Sequence, residues 1–492
     1  DAGFSEDLQN GRARVTKRNG VYPAVRHIAR EGKNRFETMK PYGIRYLQVN
    51  VSHFTGSVKI KKVYVINQVY PFEQTGNFAC SDPLMNQIWD LGWRTLRVCA
   101  EDSYTDTPFR ERGLYAGDML PQMALTLAGS GDLRLVKRCL ELFQDMYIDQ
   151  FFEDADKHPD EIGLLEDYPL LTLEALKWYL DRTGDLDFVE SLYSQYAYLV
   201  QKQIDKRNAE GMIFNQRVFI EWTQLQKSNV YSSAYHALLA RSCKVLALIA
   251  EDLGKEDDKI AFSNYAEDLT RSFQQLYWDE TKGAFRDGYY EDKPIDHHYP
   301  ISSAWPMLFG MTTPEQDAQI MQLMPTQLAD IGETDRRRLS TPYGGFYLLL
   351  ALAQVEKPEV AEAFIRKYWS PMILRHDDTA WENFGDNGIG TLSHAWSGGP
   401  TYYLTSQVLG VDLGWPGPSD PDKVVISPLA ETIDWAKGKV PHPKGVIEVS
   451  WEVNGGTLFL NYDGPEGIEF EVKPRGRLAA LDFWVNGERM TK

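Results

Sequence analysis

The middle of the chain repeats apolar residues at helical spacing. One such run follows Asp82-Pro83, a capping side chain and a proline that together predict a helix start, and places Leu84, Ile88 and Leu91 on one face. The same reasoning predicts twelve helices between residues 83 and 408. They cover 83–99, 117–129, 132–148, 168–182, 186–207, 230–253, 256–277, 301–309, 314–324, 343–354, 358–369 and 391–408.

Twelve consecutive helices predict six helical hairpins closed in a ring, an (α/α)6 barrel. An α-solenoid is the competing all-α architecture, but the chain shows no fixed repeat period. Six longer loops, rich in polar residues and glycine, connect the predicted helices, and we expect them to share one face that carries the chemistry. These loops are 100–117, 149–167, 208–229, 279–300, 326–342 and 370–390.

The two ends of the chain have the alternating pattern of strands. Residues 44–51 and 58–65 alternate before the helices, and short apolar runs at 424–426, 445–451, 457–460 and 468–472 follow them. The fold class predicted is therefore mainly α: the barrel at 76–410, an N-terminal β segment at 1–75 and a small C-terminal β-sandwich at 411–492. We expect the N-terminal segment to be part of a β-sandwich whose other strands the chain lacks.

The composition argues against binding to nucleic acid and against a membrane-spanning segment, and it is compatible with sugar binding. The formal net charge is −18, and a surface of that sign repels nucleic acid. No apolar run is long enough to span a membrane, and aromatic residues make up 12% of the chain, which suits sugar binding as well as core packing. The four cysteines have no metal-ligand spacing, and we expect Cys99 and Cys139 to be buried free thiols.

Residues 106–118 form the first candidate site. They place Asp106, Glu111 and Asp118 beside Arg110 in a loop broken by proline and glycine. A glycosidase needs a carboxylic acid that keeps its proton near neutral pH, and burial among like charges raises a carboxyl pKa. From spacing alone, a solvated loop with local ion pairs is the other interpretation of this cluster.

Residues 376–398 form the second candidate site, with Glu382 between Trp381 and Asn383, and His394 further on. A carboxylate in this setting could activate a water molecule, although an exposed turn with a structural histidine explains the pattern equally well. A third feature, residues 296–298, contains adjacent histidines whose side chains must diverge. We therefore expect structural or substrate-lining roles there and no metal.

Together these stretches resemble glycoside hydrolase family 78, the α-L-rhamnosidases. Residues 76–82 resemble the start of the family's barrel, 106–118 its acid motif, 381–395 its base motif and 439–451 its closing β domain. The four matches occur in the family's order. This chain departs from the family pattern by having Tyr115 in place of a tryptophan and Glu221-Trp222 in place of Gly-Asp-Trp.

The resemblance implies that Glu111 is the general acid and Glu382 the general base of an inverting hydrolysis that needs no cofactor. It also implies a set of sugar-binding residues, with Asp167 and Tyr168 as weaker candidates. The sugar-binding set is Asp106, Arg110, Tyr115, Asp118, Trp222, Trp381 and His394.

We therefore expect an enzyme that cleaves terminal α-L-rhamnosyl linkages in glycosides or polysaccharides. Its partner is then a carbohydrate substrate and not nucleic acid or a membrane. A polymeric substrate would place it outside the cytoplasm, secreted or periplasmic. Two alternatives stay open: the same fold acting on another sugar or linkage, and an inactive carbohydrate-binding homologue. The sequence leaves the oligomeric state and the natural substrate open.

Overall fold

The twelve predicted helices are all present. The computed structural model describes residues 1–15, 22–145, 165–221, 228–291, 293–329, 341–385, 390–417 and 420–490. The α-helices in these ranges are α1 Pro83–Val98, α2 Ala116–Gly129, α3 Arg134–Phe143, α4 Tyr168–Thr183, α5 Leu186–Ile204, α6 Ser233–Asp252, α7 Glu256–Tyr277, α8 Pro300–Leu308, α9 Pro314–Ala329, α10 Pro342–Gln354, α11 Pro358–Leu374 and α12 Gly399–Tyr403. A 3₁₀ turn, Ala395–Gly398, and a π turn, Leu404–Val408, extend α12.

Local sequence explains where these helices begin and end. Asp82 caps α1 by accepting a hydrogen bond from the Leu84 amide at 2.9 Å, as the Asp-Pro signal predicts. Gly184 ends α4 in the left-handed conformation with a φ of 67°, which glycine adopts without a steric penalty. Asp185 then caps α5, so the reversal between the two helices takes very few residues.

The helices form two concentric rings. The even-numbered helices pack in sequence order, and α12 packs on α2, which closes the inner ring. All fourteen residues of α2 are buried, as an inner helix requires. The outer helix α7 buries four residues on one face, namely Phe262, Leu269, Phe273 and Tyr277. This closure confirms the (α/α)6 barrel and excludes the open solenoid.

At the N-terminal end, Ala2–Ser5 pairs with Ala24–Val25 on one side and with Tyr46–Val49 on the other. The strand predicted at 58–65 is wrong, because residues 58–65 have no strand hydrogen bonds and their apolar side chains, such as Ile60 and Val63, are exposed. An alternating sequence becomes a strand only where a neighbouring strand accepts its hydrogen bonds, and none does so within the described ranges.

One end of the barrel is covered by β-structure. This β-structure contains residues that precede the barrel in the sequence and residues that follow it. Asn77–Cys80, which precedes α1, is the edge strand of a six-stranded sheet formed mainly by C-terminal residues. Its strands, in spatial order, are Glu488–Arg489, Asp482–Val485, Thr457–Asp463, Gly445–Asn454, Trp435–His442 and Asn77–Cys80. Lys423–Ile426 and Glu469–Val472 pair in parallel as a separate two-stranded sheet.

Short strands also lie within and before the barrel. They are Leu8–Gln9, Arg12–Ala13, Asn215–Arg217, Ser228–Ser232, Trp278–Asp279, Ala284–Phe285, Gly288–Tyr290 and Lys293–Pro294. All four cysteines are buried free thiols, as expected for Cys99 and Cys139. Among the described helices, none combines the length and the apolar character needed to cross a bilayer.

A buried ion pair ties the inner helices to the segment that leaves the barrel. Glu174 on α4 is almost fully buried and accepts hydrogen bonds from Arg241 on α6 at 2.8 and 3.1 Å. The Trp415 indole N–H donates to the same carboxylate at 3.0 Å, and Arg241 also donates to the Pro416 carbonyl at 2.7 Å.

We predict that Arg241→Met lowers the free energy of unfolding by about 3–5 kcal/mol, because it leaves Glu174 charged and buried without its partner. Urea unfolding followed by circular dichroism measures this loss. Lys259→Met, which breaks an exposed ion pair with Glu251, is the control and should change stability little. A small effect of Arg241→Met would mean that the buried pair does not hold these elements together.

Candidate active site

The loop before α2 is folded back on itself by Asp106. Its Oδ1 accepts a hydrogen bond from the Gly113 amide at 2.8 Å, and its own amide donates to the Gly113 carbonyl at 2.9 Å. Arg112 lies between them with a φ of 54°, a left-handed conformation that completes the reversal. The closed loop presents Arg110 and Glu111 at its tip.

The loop that carries Glu382 is held by backbone pairing with Thr391. The Glu382 amide donates to the Thr391 carbonyl at 3.0 Å, and the Thr391 amide donates to Glu382 Oε2 at 2.9 Å. Gly390 lies so close to residues 382 and 383 that an added Cβ would be 2.5 Å from the side-chain nitrogen Nδ2 of Asn383 and 3.1 Å from the Glu382 Cβ. Glu382 is buried, and its hydrogen bonds with Thr391 hold it in position.

Arg110 joins the two candidate catalytic carboxylates. Its Nη2 donates to Glu382 Oε1 at 2.6 Å, and its Nη1 pairs with Glu111. The Glu382 side chain is 6% exposed and that of Glu111 43%, so one carboxylate is enclosed and the other borders solvent. The structure thus brings together the two stretches that the sequence singled out, and Glu111 and Glu382 occupy adjacent nitrogens of one guanidinium group.

A buried polar pocket lies behind this pair. His394 Nδ1 lies 3.4 Å from Asp118 Oδ1, and its Nε2 lies 4.0 Å from Asp106 Oδ2. All three side chains are at most 3% exposed, and among the described residues His394 Nδ1 and Asp118 Oδ1 lack a hydrogen-bond partner. Buried polar atoms are rarely left unpaired, so the pocket is suited to a ligand with many hydroxyl groups.

Burial and like charge keep protons in this pocket. Burial, followed by the neighbouring Glu111 carboxyl, raises the pKa of Asp106 to about 8. Burial and the Asp106 and Glu382 carboxylates raise the pKa of Asp118 well above its usual range. Burial and the Arg110 guanidinium lower the pKa of His394 well below its usual value. Near neutral pH Asp106 is therefore largely protonated, and burial favours the protonated form of Asp118 and the neutral form of His394.

Aromatic rings form one wall of the pocket. Trp396 stacks on His394 with ring centroids 4.0 Å apart, and Phe219 stacks on Trp396 at 6.1 Å. Phe219 is held by Asp167, whose carboxylate accepts hydrogen bonds from the Phe219 and Ile220 amides at 2.9 and 2.8 Å. Ile220 has a φ of 52°, which is strained for a β-branched residue. Burial raises the pKa of Asp167 to about 6.

Described residues from five of the six predicted loops lie around this pocket. Asp167, Phe219 and Glu382 come from three of them, and the acid loop supplies Glu111. The fifth is joined by Thr341, whose hydroxyl donates to Glu221 Oε1 at 2.8 Å. The expectation that long loops share a face is confirmed for these five.

The remaining sequence-predicted residues are less central. Tyr115 precedes α2 and is half-buried against the core. Trp381 is buried, its indole N–H donates to Asp377 Oδ2 at 2.8 Å, and the Arg375 guanidinium lies 5.3 Å from its ring, so these contacts fix the base loop. Trp222 lies outside the described residues.

The histidines at 297 and 298 are away from this pocket. His298 Nε2 lies 3.1 Å from Asp279 Oδ2, a pairing that ties two loop segments together. A search of the described part of the chain finds no group of three histidine, cysteine or acidic side chains arranged to hold a metal ion.

Sequence reasoning missed two residues that support Glu382, one within the base loop and one outside it. Thr391 supports Glu382 directly, and the buried Glu6 of the N-terminal segment accepts hydrogen bonds from the Thr391 hydroxyl and, at 3.1 Å, from the Leu392 amide. Glu6 belongs to no motif and lies 385 residues from Thr391, so periodicity and spacing carry no signal for it.

Comparison with known proteins gives consistent results. Residues 73–408 match the bacterial α-L-rhamnosidase six-hairpin glycosidase domain, and residues 422–477 match the bacterial α-L-rhamnosidase C-terminal domain. An α-L-rhamnosidase of Alteromonas sp. (strain LOR) is 24% identical over 59% of this chain and 32% of its own length. One from Formosa agariphila is 22% identical over 88% of this chain and 47% of its own.

Solved structures share the fold. A family 78 rhamnosidase of Bacillus sp. GL1 superposes with a TM-score of 0.74 at 24% identity, over 86% of this chain and 45% of its own. The Streptomyces avermitilis α-L-rhamnosidase complexed with L-rhamnose gives 0.63 at 16% identity, over 82% and 39%. The chain thus spans about a third to a half of these relatives. Because the match to the six-hairpin domain covers more than half of the residues, the chain belongs to the bacterial α-L-rhamnosidase six-hairpin glycosidase family.

Proposed function

We propose that this chain is the catalytic part of an inverting α-L-rhamnosidase, with Glu111 as general acid and Glu382 as general base. The observation that carries the proposal is the Arg110 guanidinium, which pairs with both carboxylates beside a buried, partly unpaired polar pocket. The rhamnosidases of Klebsiella oxytoca and Streptomyces avermitilis are described with rhamnose bound, which supports a rhamnosyl substrate.

The sugar would fill the polar pocket. Asp106, Asp118 and His394 offer proton donors and acceptors to ring hydroxyls, and Arg110 offers a cation that a hydroxyl oxygen can engage. Tyr115 would contact the edge of the sugar, and the family resemblance adds Trp222 as a further candidate for sugar binding. Trp381 would act through the base loop that it packs against. Binding would satisfy the buried polar atoms of Asp118 and His394, and hence favour a polyhydroxylated ring over water.

In the proposed mechanism Glu111, which borders solvent, donates a proton to the departing glycosidic oxygen. That proton would pass to Glu111 from Asp106, because burial and the neighbouring Glu111 carboxyl raise the pKa of Asp106 to about 8. Glu382 takes a proton from the water that attacks the anomeric carbon from the opposite face. Inversion requires room for that water, with the two carboxyl groups ~6.5–9.5 Å apart.

The natural substrate belongs to the same proposal. Terminal rhamnosyl groups on glycosides or polysaccharides are the substrates proposed, because the buried polar side chains lie beside a single acid, Glu111, that borders solvent. A polysaccharide cannot enter a cell intact, and on that ground we infer that the enzyme acts in a secreted or periplasmic location.

We predict that Glu111→Gln and Glu382→Gln each reduce kcat by ~10²–10⁴-fold while the protein stays folded. The two variants should differ with the leaving group: Glu111→Gln loses far less activity on 4-nitrophenyl α-L-rhamnoside than on an alkyl rhamnoside, because nitrophenolate departs without a proton. Glu382→Gln should lose activity on both. Proton NMR of the wild-type reaction should show the β-anomer of L-rhamnose first.

Asp102→Asn, an exposed carboxylate of the same loop, is the matched control and should retain full activity. Near-normal turnover by either glutamine variant would contradict the assignment of that residue. Release of the α-anomer would contradict inversion. Preference for another glycoside in a panel of aryl glycosides would mean that the same catalytic residues act on a different sugar.

We predict that kcat/KM falls as the pH rises through about 8, because Asp106 then loses the proton that it would pass to Glu111. In Asp106→Asn, which has no carboxyl to share that proton, the limb near pH 8 should disappear and the maximal rate should drop. A pH–rate profile of both proteins measures the change. A limb at the same pH in both would assign it to another group.

A further inference from the structure

The N-terminal segment contributes side chains to the loops of the catalytic pocket. Glu6 follows the strand Ala2–Ser5 and is 7% exposed, with its carboxylate directed at residues 391 and 392. Arg45 pairs with Asp377, and its Nη2 donates to the His376 carbonyl at 2.6 Å, so a second residue of this segment holds the start of the base loop.

The acid loop is held from the same side. Arg112 Nη1 donates to the Pro41 carbonyl at 3.0 Å. At Gly43 the backbones approach so closely that an added Cβ would lie 2.5 Å from the Pro108 carbonyl carbon. Residues 1–49 therefore contact both catalytic loops.

Thr391 is the residue through which Glu6 reaches the base. Its amide donates to Glu382 Oε2 at 2.9 Å, and its carbonyl accepts from the Glu382 amide at 3.0 Å. Its hydroxyl donates to Glu6 Oε1 and accepts from the Thr107 hydroxyl at 3.0 Å. Thr107 follows Asp106, so one short chain of hydrogen bonds links the acid loop, the base loop and the N-terminal segment.

The direction of this chain follows from Glu6. A carboxylate only accepts, so the Thr391 hydroxyl must donate to Glu6, and its lone pairs then face Thr107. Without that acceptor the Thr391 hydroxyl keeps only the bonds that it accepts, from Thr107 and the Ser393 amide, and the Leu392 amide loses its partner. The backbone pairing between Glu382 and Thr391 then loses the support of Glu6. Small displacements of a catalytic group are costly, since ~1 Å can reduce a rate ~10²-fold.

We propose that Glu6 is a positioning residue for catalysis, which holds the base Glu382 and the acid loop in register through Thr391. The proposal rests on the proposed function, because it takes Glu382 to be the base. It makes the N-terminal β segment a part of the active site, whose contribution is a carboxylate that touches neither the sugar nor the reacting atoms.

The test is a set of substitutions in the full chain, assayed on 4-nitrophenyl α-L-rhamnoside below the unfolding temperature of every variant. Glu6→Ala should lower kcat by about tenfold or more with KM nearly unchanged, because sugar contacts remain while the base loses its support. Glu6→Gln should restore most of the lost rate, since its amide oxygen can accept the same two hydrogen bonds. Glu37→Ala, an exposed glutamate of the same segment, is the control and should leave kcat unchanged.

A double-mutant cycle with Thr391→Val distinguishes positioning through Thr391 from general destabilisation. Glu6→Ala should cost much less in the Thr391→Val background than in the wild type. Additive effects, a wild-type kcat for Glu6→Ala, or failure of Glu6→Gln to restore the rate would each overturn the proposal. If Glu382→Gln is inactive while Glu6→Ala is normal, this inference fails and the proposed function stands; an active Glu382→Gln removes the proposed function itself.

Discussion

The contact between Arg110 and two carboxylates from distant parts of the chain is the constraint on which the site depends. Glu382 lies 272 residues beyond Arg110, and one guanidinium group pairs with it and with Glu111. A guanidinium presents several N–H groups in a fixed plane, so it can bind two anions at once and set their relative position. The cation also offsets the cost of enclosing the Glu382 carboxylate, which is almost completely buried.

The barrel is what makes such a cluster possible. Six inner helices close in a ring, so the loops that precede them converge on one face although they are far apart in sequence. Burial in that face raises the pKa of Asp106 and Asp118 and lowers that of His394. The uncharged forms of all three side chains are therefore favoured. The same burial leaves polar atoms of Asp118 and His394 without hydrogen-bond partners, which lowers the stability of the folded protein. The hydroxyl groups of a sugar could pair with these atoms.

Sequence alone predicted the helical part of this protein well and the contacts of its site only in part. Helical periodicity is local, so runs such as Leu84, Ile88 and Leu91 identified α1 directly. A strand depends on a partner elsewhere, and the alternation at 58–65 therefore misled. The two motifs around Glu111 and Glu382 named the residues that meet at Arg110. Glu6 is an ordinary residue whose importance arises from a contact 385 positions along the chain, and Thr391 matters because it links Glu6 to Glu382.

The most direct test of the central claim is a crystal structure of the Glu382→Gln variant with a bound, uncleaved α-L-rhamnoside. The account predicts the rhamnosyl ring in the pocket of Asp106, Asp118 and His394, with the glycosidic oxygen against Glu111. It also predicts a water molecule between residue 382 and the opposite face of the anomeric carbon. A sugar bound elsewhere, or one whose anomeric carbon touches residue 382 with no room for water, would contradict it.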